Sequence, residues 1–242
     1  RLRALENNGH QPSKIELIVI GGTWSYLPEK YKYWYILNCF KAANDYQKIK
    51  KEINIEKSEK QIQPKKILKY LYSNKLRLEE VKDLLKTEQK KNEKAKYNII
   101  GLTLETRPDY LDDKELWQMR ELGCTRVEIG VQAVDDKILK LNKRGHDVKT
   151  IAEATKKLKQ FGFKVTYHFM PALPGSNPRK DIKMFQELYS DERFQPDQIK
   201  FYPTTVVKDS LLYRWWKEGK YKAYSDKQLE KVIIESKKIV PV

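Results

Sequence analysis

Short apolar runs alternate along the chain with longer stretches in which apolar residues recur every three or four positions. The apolar runs predict buried strands at residues 15–20, 98–104, 126–131, 164–169 and 198–202. The longer stretches predict amphipathic helices at residues 112–122, 135–141, 150–161 and 181–189. Alternation of this kind indicates parallel strands joined by right-handed crossovers. We therefore predict an α/β fold, a partial or complete (β/α) barrel over residues 1–242, with a doubly wound sheet as the alternative.

Residues 47–96, between the first two predicted strands, have a different pattern with no strand signal. Two amphipathic helices are predicted there, after Pro64, from the apolar residues Ile67, Leu68, Leu71, Val81, Leu84 and Leu85. Sixteen Lys and Arg against eight Asp and Glu give the segment a net charge of +8, half that of the chain. We interpret it as a basic helical insertion, either a solvated spacer or a nucleic-acid-contacting arm. In the second case the contacts are lysines predicted to share one helical face: Lys82, Lys86, Lys90 and Lys94.

The charge of the whole chain points to a polyanionic partner. The 242 residues have a formal net charge of +16 and a pI near 9.5, which favours nucleic acid. A Lys-rich solvated surface, common in thermophilic proteins, is the alternative. No apolar run approaches the roughly 20 residues of a membrane span, so we expect no membrane partner.

The ends of the chain and its cysteines give further expectations. The first residue is not Met and the pattern predicts a helix already under way there, so we interpret the chain as a fragment without a signal peptide. Cys39 and Cys124 are the only cysteines, too few for a disulfide framework and too far apart for a metal site. They are expected to be buried thiols in a reducing cytoplasm.

Polar residues, glycine and proline follow the predicted strands, where the functional groups of a parallel barrel lie. Gly21-Gly22 follows the first strand and either lets a ligand approach the backbone or forms a tight turn. Glu105 and Arg107 follow the second strand on one side, and pair either with each other or with a polar ligand. Gln132 follows the third strand and suits a ribose or an amino acid.

Three further residues are candidates with a common structural alternative. Arg144 follows a short helix and is either a carboxylate ligand or a surface arginine. His168 ends the fourth strand and is either a pocket residue or a satisfied core histidine. Tyr202 ends the fifth strand and is a pocket candidate. The sequence contains no His, Cys and carboxylate cluster with metal-ligand spacing and no serine in a nucleophile-elbow context.

Together these motifs resemble the radical S-adenosylmethionine (SAM) domain of the Elongator catalytic subunit family. The similarity follows the order of that family along nearly the whole chain outside residues 47–96. The strings that define it are IELIVIGGT from Ile15, GLTLETRPD from Gly101, TRVEIGVQ from Thr125, RGH from Arg144, GFKV from Gly162, HFMP from His168, LPGS from Leu173 and YPT from Tyr202.

The resemblance implies a radical-SAM partial barrel that binds SAM and a 4Fe-4S cluster. In that family a 5′-deoxyadenosyl radical takes hydrogen from the methyl group of acetyl-CoA, and the carbon radical adds to C5 of the tRNA wobble uridine. Hydrolysis of the thioester leaves a carboxymethyl group. The implied partners are therefore tRNA and acetyl-CoA, and Elongator-type accessory subunits or a second copy of the chain remain open.

The resemblance also implies roles for individual residues. The backbone of Gly21 and Gly22 is expected to hold the methionyl amino group, and Glu105, Gln132 and Arg144 to contact SAM. Arg107, His168 and Tyr202 are expected in the pocket. The cysteine loop that binds the cluster lies upstream of the first strand in this family, and an acetyltransferase-like domain follows the barrel. Both are expected outside this chain, which alone should be inactive.

Two other functions compete with this interpretation. A non-catalytic tRNA-binding module with a degenerate barrel fits the charge, but leaves Glu105, Gln132 and Arg144 unexplained. A non-radical barrel enzyme binding a phosphorylated metabolite at Gly21-Gly22 is the third possibility. It requires an acid–base pair at the strand ends, which the sequence does not provide convincingly.

Overall fold

The computed structural model describes residues 1–52 and 76–241. Five strands form one sheet in sequential order β1-β2-β3-β4-β5. They are β1 Lys14–Val19, β2 Asn98–Thr106, β3 Arg126–Gln132, β4 Lys164–Phe169 and β5 Gln198–Phe201. All five predicted strands are present, with bounds that differ by at most two residues. Sequential order is the winding of a barrel, whereas a doubly wound sheet reverses direction after its first strands.

The helices of the described residues lie before, between and after the strands. They are α1 Leu2–Asn7, α2 Glu29–Glu52, α3 Leu78–Asn92, α4 Asp113–Glu121, α5 Asp136–Leu141, α6 Val148–Gln160, α7 Pro178–Ser190, α8 Leu211–Lys217 and α9 Asp226–Ile239. Several begin at a polar side chain that accepts a hydrogen bond from the first turn, namely Asp135, Asp147, Asn177, Ser210 and Ser225. These caps explain why the helices begin where they do.

The middle strands are buried on both faces, as parallel strands covered by helices usually are. In β3, Val127, Ile129 and Val131 have no exposed surface. The alternate residues of the same strand include Glu128, which is also buried, and Gln132. Strands β3, β4 and β5 are parallel, and His168 in β4 is in register with Lys200 in β5. This alternation separates an apolar face of β3 from a polar one.

The described residues form two compact units. The first contains Arg1–Val19, Tyr26–Thr103 and Gln118–Cys124, and the second contains Ile20–Ser25, Leu104–Trp117 and Thr125–Val242. In the first unit α2 packs on α3. The pattern analysis did not identify α2, although its buried residues have helical spacing: Tyr33, Ile36, Leu37, Phe40 and Ala43. It also did not identify α8 and α9.

Helix α3 lies in the basic segment 47–96. Val81 and Leu85 are buried as predicted, but Leu84 is 43% exposed, so the apolar face is narrower than expected. Helix α2 continues to Glu52, past the predicted start of the segment. The predicted helix containing Ile67, Leu68 and Leu71 lies outside the described residues.

Asn92, at the end of α3, connects three parts of the first unit. Its Nδ2 donates to Asn44 Oδ1 (2.7 Å) and to the Tyr97 carbonyl (3.0 Å), and its Oδ1 accepts from the Ile99 N–H (2.7 Å). Asn92 is 1% exposed, so water does not replace these partners. The side chain therefore holds the start of β2 against the helix pair.

We expect Asn92→Ala to lower the free energy of unfolding by about 3 kcal/mol, because it leaves buried backbone groups without partners. The measurement is urea denaturation followed by circular dichroism. Lys90→Ala, an exposed substitution in the same helix turn, should stay within about 0.5 kcal/mol of wild type. Equal effects of the two substitutions would contradict the role assigned to Asn92.

Candidate functional site

A cavity of about 300 Å³ lies at the ends of the strands in the second unit. Its lining residues are Gly22, Thr23, Glu105, Thr106, Arg107, Gly130, Gln132, Lys143 and Arg144. Four of the five predicted cofactor residues therefore line one cavity. The fifth, Gly21, is connected to it because its N–H donates to Glu105 Oε2 (3.0 Å).

The Gly21-Gly22 turn requires glycine for its backbone conformation. Gly21 has φ +106°, a value that side chains disfavour. A Cβ placed on either glycine would meet no atom within 4 Å. The structure therefore explains the two glycines by a backbone constraint beside open space, and the expected approach of a ligand to their backbone stays a prediction.

Gln132 is directed by an irregularity at the end of β3. The pairing with β4 shifts between Ile129 and Gln132, and Gln132 adopts φ +68°. Such bulges often redirect a side chain at a functional site. A Cβ on Gly130 would lie 2.7 Å from Gln132 Nε2, so glycine at this position lets the Gln132 side chain keep its place without a shift.

Two guanidinium groups belong to the same site, and their environments differ. Arg107 donates to both oxygens of Asp109 at 2.9 and 2.7 Å, and this hydrogen bonding raises its pKa. Burial, followed by the charge of Arg107, lowers the pKa of Arg144. A Cβ on Gly145 would lie 2.6 Å from Arg107 Nη2, so the loop after α5 packs closely on that guanidinium. Arg107 is satisfied by Asp109, and Arg144 is left as the group that an anion would stabilise.

Two buried polar atoms of the cavity have no hydrogen-bond partner within the described residues. They are Gln132 Oε1, an acceptor, and Arg144 Nε, a donor. Buried polar atoms are usually paired, so an unpaired acceptor and an unpaired cationic donor in one cavity match a ligand that has both polarities. A zwitterionic amino acid moiety, with an ammonium and a carboxylate, has this chemistry.

Behind the cavity, Glu105 begins a chain of charged side chains. Glu105 Oε1 lies 3.4 Å from His168 Nδ1, and His168 Nε2 lies 2.6 Å from Glu128 Oε2. Lys200 Nζ lies 2.7 Å from Glu128 Oε1. A carboxylate accepts hydrogen bonds, so we assign a ring proton to Nε2 of His168. His168 is 7% exposed and links two carboxylates, so the alternative of a satisfied core histidine describes it, and its role in a pocket stays a prediction.

The sequence analysis missed Glu128 and Lys200. Glu128 is 1% exposed and lies in an apolar strand, and a charge in a buried strand is itself a signal of a specific partner. Tyr202, which was predicted, lies beside the same group: its ring contacts that of His168 edge-on, with centroids 5.1 Å apart. Tyr202 is 43% exposed and so lies at the edge of the polar network.

The cysteines are placed as expected for isolated thiols. Cys124 is buried and Cys39 is partly buried, and burial raises the pKa of the Cys39 thiol to about 11. Residues 1–52 and 76–241 contain no group of three His, Cys, Asp or Glu side chains arranged to hold a metal. The residues present therefore do not fit an iron–sulfur cluster.

The four predicted lysines of α3 have different environments. Lys82 lies 3.2 Å from Glu29 and over the ring of Tyr33, so it is already engaged. Lys86 and Lys90 are exposed on the helix. Lys94 is exposed but follows the end of the helix at Asn92, so it does not share the helical face as predicted.

In the part of the chain that the structure describes, no helix has the length and apolar character needed to cross a bilayer.

Comparison with known families gives two adjoining matches. Residues 2–188 match the model of the Radical SAM superfamily, and residues 196–242 match the Radical_SAM C-terminal domain. The first match includes every predicted cofactor residue.

Curated proteins with similar sequences have related names. Proteins named tRNA uridine(34) acetyltransferase from Methanocaldococcus infernus and Dehalococcoides mccartyi are 40% and 39% identical to this chain over 241 residues. Elongator complex protein 3 from Homo sapiens is 35% identical over the same length. The alignments cover 100% of this chain, including residues 47–96, but 39%, 45% and 38% of these relatives. The chain thus spans less than half of their length.

Solved structures have the same fold. The Elp3 protein of Methanocaldococcus infernus with an N-terminal deletion matches 99% of this chain and 48% of its own length, with 40% identity and a TM-score of 0.80. Coproporphyrinogen III oxidase from Escherichia coli matches 97% of this chain and 54% of its own, with a TM-score of 0.52 at 14% identity, which concerns the fold alone. The predicted α/β partial barrel is confirmed as a parallel half-barrel.

We expect Glu128→Ala to lower the free energy of unfolding by about 3 kcal/mol, because it leaves Lys200 and His168 without their buried partner. Glu153→Ala is the matched control, since Glu153 is 63% exposed and pairs only with Lys149 on the surface. Its effect should be below about 0.5 kcal/mol. Chemical denaturation of both variants measures the difference, and a cost below about 1 kcal/mol for Glu128→Ala would refute the assigned role.

Proposed function

This chain belongs to the radical SAM superfamily, and on that premise we propose that it is the barrel core of an enzyme that modifies the wobble uridine of tRNA. The observation that supports the proposal most directly is 39–40% identity over 241 residues to proteins named tRNA uridine(34) acetyltransferase. Because the chain spans less than half of those relatives, the complete reaction is proposed for the whole protein.

We propose that the cavity at the strand ends binds SAM. Arg144 Nε, buried and unpaired in the described chain, would donate to the methionyl carboxylate, and Gln132 Oε1 would accept from the amino group or a ribose hydroxyl. The Gly21-Gly22 backbone lies beside open space where a methionyl amino group fits. When bound, SAM is the source of the 5′-deoxyadenosyl radical in this superfamily. A degenerate barrel has no reason to keep these two unpaired polar atoms.

Glu105 has two neighbours that fix its carboxylate. Its Oε2 accepts from the Gly21 N–H, and its Oε1 faces His168, which is held by Glu128. A carboxylate held in this way is positioned for the ribose hydroxyls of SAM without a change of rotamer. Arg107 has a structural role beside it, as the partner of Asp109 and the surface on which Gly145 packs.

We propose acetyl-CoA as the co-substrate and carboxymethylation at C5 of the uridine as the outcome. The acetyltransferase names of the relatives support an acetyl donor, and the family resemblance supports its activation at the methyl group. Tyr202, at the exposed edge of the polar network, is the side chain proposed to face this substrate, and His168 is proposed to position it through their ring contact. The iron–sulfur cluster has no fitting ligands among the described residues, so we assign none of them a role in it.

We propose that tRNA contacts α3 through Lys86 and Lys90. Both are exposed one helical turn apart, whereas Lys82 is held by Glu29 and Tyr33 and Lys94 lies beyond the helix. Accessory subunits of Elongator type or a second copy of the chain are proposed as protein partners of the whole enzyme. Partly buried free thiols are consistent with work in the reducing cytoplasm.

The SAM site is tested by isothermal titration calorimetry with SAM. Arg144→Ala and Gln132→Asn should each weaken binding about tenfold or more, since each loses a hydrogen bond to a charged group. Asn is chosen at residue 132 because it tolerates the positive φ there. Arg179→Ala, which removes an exposed arginine from α7, should bind as wild type does. If both site variants bound SAM with wild-type affinity, this cavity would not be the SAM site.

The tRNA surface is tested by the salt dependence of binding. Lys86→Gln with Lys90→Gln should weaken tRNA binding and flatten the slope of log affinity against log salt by about one to two units, because two phosphate contacts are lost. Lys227→Gln with Lys231→Gln removes two exposed lysines at the same spacing from α9 and should change the slope little. Equal salt slopes for the two double variants would mean that the lysines of α3 affect tRNA binding only through the net charge of the protein and not through phosphate contacts.

A further inference from the structure

A second cavity, of about 470 Å³, lies in the same unit and shares no residue with the proposed cofactor cavity. Three aromatic and two lysine side chains line it, together with small and aliphatic residues, and no acidic side chain does. The lining residues used below are Trp215, Lys220, Tyr221, Lys222 and Tyr224. Neither the family match nor the proposed SAM site assigns a role to it.

The aromatic wall of this cavity is fixed from behind. The Tyr224 hydroxyl donates to Asp181 Oδ2 (2.6 Å), and the Tyr221 hydroxyl donates to the Ala172 carbonyl (2.8 Å). Asp181 has no exposed surface and also accepts from the Ala172 N–H (2.8 Å) and the Ser176 hydroxyl. The buried carboxylate thus holds Tyr224 directly and Tyr221 only through the Ala172 backbone, and these contacts fix both rings.

The wall also remains uncharged. Burial raises the pKa of Tyr221 and of Tyr224, and hydrogen bonding and the charge of Asp181 add to the effect at Tyr224. Trp215 lies beside them because its carbonyl accepts from the N–H groups of Lys220 (2.8 Å) and Tyr221 (3.2 Å). Neutral, rigid aromatic rings are the surface on which nucleobases stack.

The two lysines at the cavity can bind a ligand, because neither is held in a strong ion pair. Lys220 pairs with Glu218 at 2.7 Å, but the two side chains are 68% and 50% exposed, so the pair is weak. Lys222 is exposed. Residues 200–222 have six Lys and Arg against two Asp and Glu, a net +4 in a short stretch. Such an excess of positive charge favours a ligand with several phosphates as the binding partner, rather than the surface of another protein.

A third cavity, of about 340 Å³, connects the other two. It shares Lys143 and Arg144 with the cofactor cavity, and Leu141, Leu173, Pro174 and Trp215 with the aromatic one. Thr204, Thr205 and Ser210 add hydroxyl groups to its lining. The three cavities adjoin one another through these shared residues, and we refer to them together as the groove. It has cations at both ends, and Glu105 is its one acidic lining residue among the described residues.

We propose that this groove binds single-stranded RNA, with one base stacked on the wall of Trp215, Tyr221 and Tyr224 and its phosphate on Lys220 and Lys222. The RNA strand would run from the aromatic cavity through the third cavity towards the cofactor cavity. The stacked nucleotide is therefore a neighbour of the target base. The inference rests on the proposed function and names where its RNA substrate is held. The adenosine diphosphate part of coenzyme A has the same base and phosphate chemistry, and the test separates it from RNA.

The test uses fluorescence anisotropy with a labelled single-stranded RNA of anticodon-loop length. Trp215→Leu should weaken RNA binding roughly five- to hundredfold, the loss expected for one base–aromatic stack. Trp216→Leu is the matched control, because Trp216 is 48% exposed and does not line the cavity, and its effect should stay below about twofold. SAM binding by Trp215→Leu should equal that of wild type, which shows that the variant is folded.

A second pair of variants tests the phosphate contact without changing the wall. Lys220→Gln with Lys222→Gln should flatten the salt slope of RNA binding by about one to two units, and Lys227→Gln with Lys231→Gln should not. The proposal would be overturned if Trp215→Leu left the RNA affinity unchanged. It would also be overturned if Trp215→Leu lost coenzyme A binding while RNA binding stayed intact. Wild-type protein that binds SAM but no RNA would instead contradict the proposed function itself.

Discussion

The buried carboxylate of Glu128 is the constraint on which the strand-end site depends. A charge with 1% exposure is unfavourable unless it is paired, and here it is paired twice, by Lys200 and by His168. These partners lie on the next two parallel strands, so the pairing also fixes how β3, β4 and β5 align their polar faces. His168 then faces Glu105, whose other oxygen binds the Gly21 N–H. The buried charge of Glu128 thus fixes, through His168, the position of Glu105 in the cavity and its contact with the Gly21-Gly22 turn.

Much of this arrangement could be predicted from sequence, because strands with apolar runs and turn residues at their ends have a simple pattern. Gly22, Glu105 and Gln132 line one cavity as their strand-end positions suggested, together with Arg144, which follows a short helix. Their roles depend on geometry that the pattern does not contain. Gln132 is directed by a shift in strand pairing, and Arg107 is occupied by Asp109 two residues away. No periodicity indicates either.

Other features depend on contacts between residues far apart in sequence. Lys82 has the same spacing as Lys86 and Lys90, yet it is held by Glu29 and Tyr33 from another helix. Asp181 looks like an ordinary first-turn helix residue, and only its tyrosine and backbone partners explain why it has no exposed surface. Helix α2 was missed for a different reason, since its buried residues do have helical spacing but include aromatic residues that also favour strands.

The contact between Gly145 and Arg107 has a consequence for how such sequences can diverge. A Cβ at residue 145 would lie 2.6 Å from Arg107 Nη2, so a larger residue there requires the guanidinium to shift from its place beside Asp109. If Arg107 is replaced by a smaller residue, the space opens, but φ +77° still restricts residue 145 to glycine or a residue such as asparagine. The two positions are therefore coupled: a substitution at residue 145 also displaces or requires replacement of Arg107, and so disturbs its ion pair with Asp109.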